Sequence, residues 1–232
     1  KVKILKVKKN ILYCKAYEFI NKANSHIEPL CDCFDKCGAC SLLHMDYNEQ
    51  LKLKRTKVMD AIKRIGKLNL TVHPVVPSQN NFYRNKVLIP VGESENGEII
   101  YGFYRRKSHD IIKMNNCVVQ DDIINSICEI VVKWMNDNLI KPFNYETKKG
   151  IIRHIYIRKA FGCNEVMAGI VSNTNKLPNV NELVKALSTI TGVVSIIHNI
   201  NFKDSNVILG DKTDILWGKD YLTDILINKK FH

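Results

Sequence analysis

No Gly-x-Gly pair occurs anywhere in this sequence; the 11 glycines stand apart, at 38, 66, 92, 97, 102, 150, 162, 169, 192, 210 and 218. Neither a dinucleotide-type fingerprint nor a P-loop can be assembled from them. Long apolar runs are missing too. Stretches such as Ile130-Val131-Val132 fall far short of the roughly 20 residues that a membrane-spanning helix needs, so no transmembrane helix and no membrane partner is expected. From Lys1 to Phe19 the apolar residues alternate with lysines, and no uninterrupted apolar stretch of the signal-peptide kind forms. No fixed-period repeat or low-complexity tract is present, which sets aside solenoids and arrays.

What is present suffices for a folded core. Of 232 residues 45% are hydrophobic and only 6 are proline, which excludes global disorder and suggests one to two domains. Eight cysteines in a chain without a signal sequence point to a reducing, cytoplasmic setting, and so to metal rather than disulfides. The net charge of +12 is uneven. Residues 1–116 hold 21 Lys and Arg against 11 Asp and Glu, whereas residues 117–232 hold 14 against 12. Such asymmetry is the electrostatic footprint expected for a phosphate partner, although lysines can equally serve only to keep a surface soluble.

The chain opens with an expected hairpin, Val2 to Val7 and Ile11 to Tyr17, turning at Lys8-Lys9-Asn10. A lone hairpin is not stable in water, so it must dock or belong to a larger β-domain. Residues 21–30 read as a polar linker. A helix is expected over 46–65, with Tyr47, Leu51, Val58, Ile62 and Ile65 on one face, Lys52, Lys54, Arg55 and Lys57 on others, and Gly66 as its stop. Strands follow at 82–91 and 98–105, joined by a turn at 92–97. A second helix over 121–138 puts Ile124, Ile127, Cys128, Val131 and Met135 on one side. Strands 151–160 and 164–171 meet at Phe161-Gly162-Cys163, a third helix runs over 179–190, and short strands at 193–199, 206–209 and 213–217 end the chain. Hairpins between isolated helices, without the βαβ alternation of a doubly wound domain, predict an α+β fold: a largely antiparallel sheet with about three helices.

The chemically informative segment is Cys31-Asp-Cys33-Phe-Asp-Lys-Cys37-Gly-Ala-Cys40. Two thiolates three positions apart on a glycine-softened turn can face one metal centre, and Cys31 can close over the same point. A fourth ligand must come from Cys33, His44, Cys117, Cys128, Cys14 or Cys163. Cys128 falls on the apolar helix face, where a free cysteine is usually a small core hydrophobe. Cys14 and Cys163 fall in a strand and at a hairpin tip. Spacing leaves His44 and Cys117 open, and zinc and iron–sulfur unresolved.

The run from Cys31 to Val58, CDCFDKCGACSLLHMDYNEQLKLKRTKV, resembles the cysteine motif of the RumA/TrmA family of RNA uracil-5-methyltransferases, in its iron–sulfur branch acting on 23S ribosomal RNA. Further matches follow in order: Tyr83-Arg84-Asn85-Lys86, Gly102-Phe103-Tyr104, Ser108-His109-Asp110-Ile111, Cys117, Arg153-His154, Ile157-Arg158-Lys159 and Leu216-Trp217-Gly218. The resemblance implies that Cys31, Cys37, Cys40 and Cys117 hold a 4Fe–4S cluster, with Cys33 outside the ligand set. It also implies S-adenosylmethionine as methyl donor in the intact protein. No cysteine here falls in a motif matching the family's catalytic cysteine, so no catalytic or S-adenosylmethionine-binding residue is carried over. Residues 1–29 resemble the closing strands of the family's OB-like TRAM barrel, and residues 30–232 its central iron–sulfur and RNA-binding domain, leading toward an absent methyltransferase domain.

On this reading the chain is inactive by itself and acts as a monomer in the cytoplasm, holding ribosomal RNA while a target uridine is flipped toward the catalytic domain. Aromatic and basic side chains read looped RNA, and the expected contacts are Tyr83, Arg84, Lys86, Tyr104, Arg105, Arg106, His109, Arg153, Arg158 and Lys159. The competing class is a stand-alone RNA-binding module with a structural zinc or iron–sulfur site. An electron carrier is disfavoured by the basic charge and by the lack of the bacterial ferredoxin spacing.

Overall fold

The computed structural model describes all 232 residues. They form two compact units, one of Lys1–Pro29 with Ser41–Pro77, the other of Leu30–Cys40 with Ser78–His232. The cysteine segment thus folds with the second unit, while residues 41–77, expected in the same domain, gather with the first.

In the first unit β1 (Val2–Lys8) pairs antiparallel with β2 (Ile11–Ala16) through a turn in which Lys9 takes a positive φ of 48°. Every residue of both strands is exposed. The segment read as a linker is tied down: Ile27 N donates to His44 O (2.9 Å) and Asp46 N to Ser25 O (2.8 Å). Asp46 then caps α1 (Tyr47–Asp60) by accepting from Asn48 N at 2.9 Å. The helix continues as a wider π turn over Ala61–Ile65 and stops at Gly66. The expected apolar face builds no core here. No residue of α1 is buried, and Val58 and Ile65 remain 48% and 82% exposed. The cause lies in the alternation Leu51-Lys52-Leu53-Lys54, because side chains two apart on a helix point in different directions.

The second unit is built on β3 (Lys86–Glu93), β4 (Ile99–Tyr104), β5 (Ile111–Lys113), α2 (Asp122–Asp137), β6 (Ile152–Ala160), β7 (Glu165–Ser172), α3 (Val180–Ser188), β8 (Val193–Ile200) and β9 (Lys212–Gly218), followed by the hairpin β10 (Asp224–Leu226) and β11 (Lys229–Phe231). The seven-stranded sheet runs β5-β4-β3-β6-β7-β8-β9. All its pairings are antiparallel except β7 with β8, which lie parallel with α3 as their crossover. The fold is therefore α+β with a mixed, mostly antiparallel sheet and three α-helices.

Strand alternation divides the sheet into two faces. Val87, Ile89 and Val91 of β3, Ile155 and Ile157 of β6, and Ala168 and Ile170 of β7 point toward α2 and α3. There they meet Ile124, Ile127, Cys128, Val131 and Met135, the helix face read from the sequence, together with Leu183 and Leu187. Each fully buried aliphatic side chain contributes about 1.5–3 kcal/mol to the core. The opposite face carries a smaller apolar group of Tyr156, Val171 and Ile197, flanked by Leu88 and Met167.

Three expectations are corrected. The strand read from Phe82 begins only at Lys86, because Phe82 takes a positive φ of 54° and residues 82–84 hydrogen-bond instead to Val118 and Val119. Residues 206–209 form no strand; the Asn201 side chain donates to the carbonyls of Val207 and Ile208, both at 2.8 Å, and holds them as a loop. The hairpin β10–β11 was not expected, since its turn places Ile227 and Asn228 at φ of 48° and 60°, and isoleucine is a poor signal for that conformation.

Candidate functional site

The cysteine segment is a series of tight turns, with Phe34 N donating to Cys31 O at 3.0 Å and Cys37 N to Cys33 O at 2.7 Å. It is pinned to the end of β4. Gly38 N donates to Tyr104 O at 2.9 Å, Cys37 pairs with Arg105 as an antiparallel bridge, and Arg106 Nη2 donates to Cys40 O at 2.5 Å. A Cβ on Gly38 would lie 2.9 Å from Tyr104 O, so the close approach requires glycine. Cys117 enters after β5, in a turn closed by Gln120 N donating to Cys117 O at 2.9 Å.

The thiols are electrostatically linked. Burial raises the Cys117 thiol above its ordinary value; the Val119 amide opposes this, Cys40 and Cys31 add to it, and Arg84 opposes it. Burial likewise raises Cys40, with Arg84 and Arg106 pulling down and Cys37 and Cys31 pushing up. Cys40 and Cys117, far apart in the sequence, thus both feel Cys31 and the Arg84 guanidinium. No three His, Cys, Asp or Glu side chains converge as ligands of a single metal ion. Thiols are the donor type shared by zinc and iron–sulfur sites.

Cys33 shares these couplings: burial raises its thiol first, and Cys31 and Cys37 add to it. The remaining cysteines differ in their surroundings. Cys128 is buried in α2 with its thiol pushed far up by burial, Cys14 is exposed in β2, and Cys163 lies in the β6–β7 turn. Cys33 Sγ is 3.7 Å from Lys113 O. His44 belongs to the first unit, where its ring centroid lies 6.1 Å from that of His26.

The expected RNA contacts separate into open and engaged groups. Tyr83 is 52% exposed. Arg105, Arg106, His109, Lys86 and Arg158 are exposed as well. Arg84 is half-buried with its guanidinium 5.6 Å from the Phe103 ring centre, and Tyr104 is half-buried against His109, edge to face at 5.2 Å. Burial pushes the Tyr104 phenol up to about 12. Of the exposed group, Arg106 is tied to Cys40 O as above and Arg105 Nε lies 3.6 Å from Asp110 Oδ2. Two further residues are engaged within the fold. Arg153 is buried, donates to Asn201 O (2.8 Å) and Lys203 O (2.9 Å), and lies 4.9 and 5.0 Å from the ring centres of Phe143 and Tyr145. Lys159 pairs with Asp121, the N-cap of α2, at 2.6 Å. No local pattern signals this, because a basic residue on a strand reads the same whether it faces water or a row of carbonyls. Conversely, Tyr221, Phe231 and His232, which line a cleft with Arg158, carried no motif that would single them out.

The fold and site thus define a basic α+β unit that presents a cysteine loop beside arginines and aromatics. No family model matches the chain. It is similar over its whole length to proteins named as uncharacterized RNA methyltransferases: 41% identical over 237 residues in Clostridium acetobutylicum, 40% over 232 in Clostridium tetani and 38% over 232 in Caldanaerobacter subterraneus, covering 51%, 50% and 51% of those proteins. The fold matches that of a Pyrococcus abyssi tRNA (uracil-54, C5)-methyltransferase solved with S-adenosyl-L-homocysteine, at a TM-score of 0.71 and 20% identity, over 100% of this chain and 50% of that one. The chain spans about half the length of the curated relatives it matches. The similarity to these relatives supports an RNA methyltransferase family for the chain, and the solved structure shows the shared fold.

Proposed function

We propose that this chain is the iron–sulfur-bearing, RNA-holding portion of an S-adenosylmethionine-dependent 23S ribosomal RNA (uracil-5-)-methyltransferase. The observation that carries this reading is the docking of the cysteine loop on the basic end of β4, through Gly38 to Tyr104 and Arg106 to Cys40. Cys31, Cys37, Cys40 and Cys117 would hold a 4Fe–4S cluster. When bound, that group supplies a covalent staple between the loop and the segment after β5, and no net electrons are needed, since methyl transfer moves none.

The residues of the chain do the rest. Arg84 and Arg106 offset the thiolate charge, and the loop in turn fixes Tyr104, Arg105 and Arg106 at one corner of the sheet. With Tyr83, Lys86, His109 and Arg158 they offer rings for bases and cations for phosphates. RNA held there can present a uridine out of its stack, the arrangement that chemistry at C5 requires. Arg153 and Lys159 serve this surface indirectly, by bracing β6. The hairpin β1–β2 acts as closing strands of an OB-like TRAM module, whose other strands would pair and cover its exposed residues. Methyl transfer and S-adenosylmethionine binding belong to a catalytic domain outside these residues, and the protein works as a cytoplasmic monomer.

The test is methylation by the full-length protein of unmodified 23S ribosomal RNA and of tRNA, with digestion to nucleosides. The reading expects 5-methyluridine in the ribosomal RNA. Methylation of tRNA alone, or at an atom other than C5, would overturn it.

A further inference from the structure

The sheet face opposite α2 and α3 opens, at the β6–β7 end, into a cleft of about 280 Å³. Tyr156 and Met167 line one side, and Tyr221, Phe231 and His232 the other. The volume sits near the lower end of ordinary ligand pockets, roughly 300–1,000 Å³, and suits a ligand the size of one nucleotide.

The outer wall is fixed in place. Glu165 accepts from Lys219 Nζ (2.6 Å) and Thr223 N (2.8 Å), and Asp224 Oδ1 accepts from Gly162 N at 2.8 Å. A Cβ on Gly162 would lie 2.3 Å from Ile225 O, so glycine lets β10 dock on the β6–β7 turn. The rings of this wall are nevertheless open: Tyr221 is 44% and Phe231 52% exposed, and Tyr221 meets His232 edge to face at 4.7 Å. Well-anchored backbone carrying uncovered aromatic rings is a stacking platform.

Two cations stand beside it without a salt-bridge partner. Lys86 and Arg158 are cross-strand partners on β3 and β6, both exposed, and neither forms a salt bridge. Lys86 Nζ lies 6.0 Å from the Tyr156 ring centre, which brings the cation to the cleft. Two like charges directly opposite favour an anion between them. Asn85 adds a hydrogen-bonding edge, and because the carboxylates of Asp220 and Asp224 also line the cleft, a phosphate is favoured only on the Lys86–Arg158 side. An anion without a ring would use the cations and leave the aromatic wall idle; a nucleotide uses both.

We propose that this cleft binds one unstacked base of single-stranded RNA, stacked on Tyr221, with its phosphate between Lys86 and Arg158. The inference rests on the RNA-binding reading and adds a subsite to it. The test is binding of a fluorescein-labelled single-stranded RNA decamer to the chain and to Tyr221→Ala, Tyr221→Phe and Arg158→Gln, each over a range of salt, with circular dichroism melts as a fold control. Stacking on one base makes Tyr221→Ala bind about tenfold more weakly with an unchanged salt slope, while Tyr221→Phe binds as the parent does. Arg158→Gln lowers the salt slope by about one. If the parent chain binds RNA and both Tyr221→Ala and Arg158→Gln bind it equally well with unchanged slopes, the cleft assignment is wrong and the RNA reading survives. If the parent chain does not bind the decamer, both fail.

Discussion

Lys86 and Arg158 stand directly opposite one another on the β3–β6 ladder, two exposed cations on the face of the sheet that also carries Tyr156. Their repulsion costs the free chain a few tenths of a kcal/mol up to about 1 kcal/mol. Lys86→Gln should therefore raise the thermal midpoint slightly while weakening binding to a single-stranded RNA. A melt and a binding isotherm on the same preparation check both signs together.

Arg153 illustrates the opposite use of a strand cation. Its guanidinium sits in the fold between the carbonyls of Asn201 and Lys203, against Phe143 and Tyr145. Arg153→Ala removes a charged donor and leaves buried acceptors unpaired, a loss of about 3–5 kcal/mol. Chemical denaturation should show that loss, with the intercept in water falling and RNA affinity of the surviving folded fraction little changed.

His154, its neighbour, predicts an acid sensitivity. Burial first, and the charge of Arg153 second, hold its imidazole down at about 4, against an ordinary value of 6.5. Between those values the unfolded chain binds a proton that the folded chain does not. Stability is then full above about pH 6.5 and falls as the pH drops toward 4, by an amount on the order of 3 kcal/mol. His198, lowered mainly by burial, acts in the same direction. Urea melts at pH 7 and pH 4.5 should show a smaller difference in His154→Gln than in the parent.

Gly38 tests how the cysteine loop is held. A methyl group there meets Tyr104 O at 2.9 Å, so Gly38→Ala should lift the loop from β4 without disturbing the core beneath α2. The expected signature is faster labelling of Cys37 and Cys40 by a thiol reagent, with the labelling of buried Cys128 unchanged.

How far the sequence carried these conclusions depends on what kind of signal each feature leaves. The face of α2 was legible because Ile124, Ile127, Cys128, Val131 and Met135 repeat at helical spacing and all of them are buried. The α1 stripe misled because its lysines interrupt the same spacing and nothing is buried along it. The hairpin β10–β11 was hidden by Ile227 in a left-handed turn, a choice that local propensity does not favour. Among site residues, the loop at 31–40 announced itself by spacing, whereas the engagement of Arg153 depends on carbonyls some 50 positions away. The cleft wall at Tyr221 and His232 depends on β10–β11 folding back, and no local pattern encodes that.

The proposed function requires Cys31, Cys37, Cys40 and Cys117 together to hold an iron–sulfur cluster beside the proposed RNA-facing corner of the sheet. Its most direct test is the visible spectrum, with iron and acid-labile sulfide counts, of the chain purified without oxygen, alongside Cys117→Ala and Cys128→Ala. The account predicts a brown protein with about four irons and four sulfides per chain, retained in Cys128→Ala and lost in Cys117→Ala. A colourless chain, or a Cys117→Ala variant with its iron content intact, would contradict it.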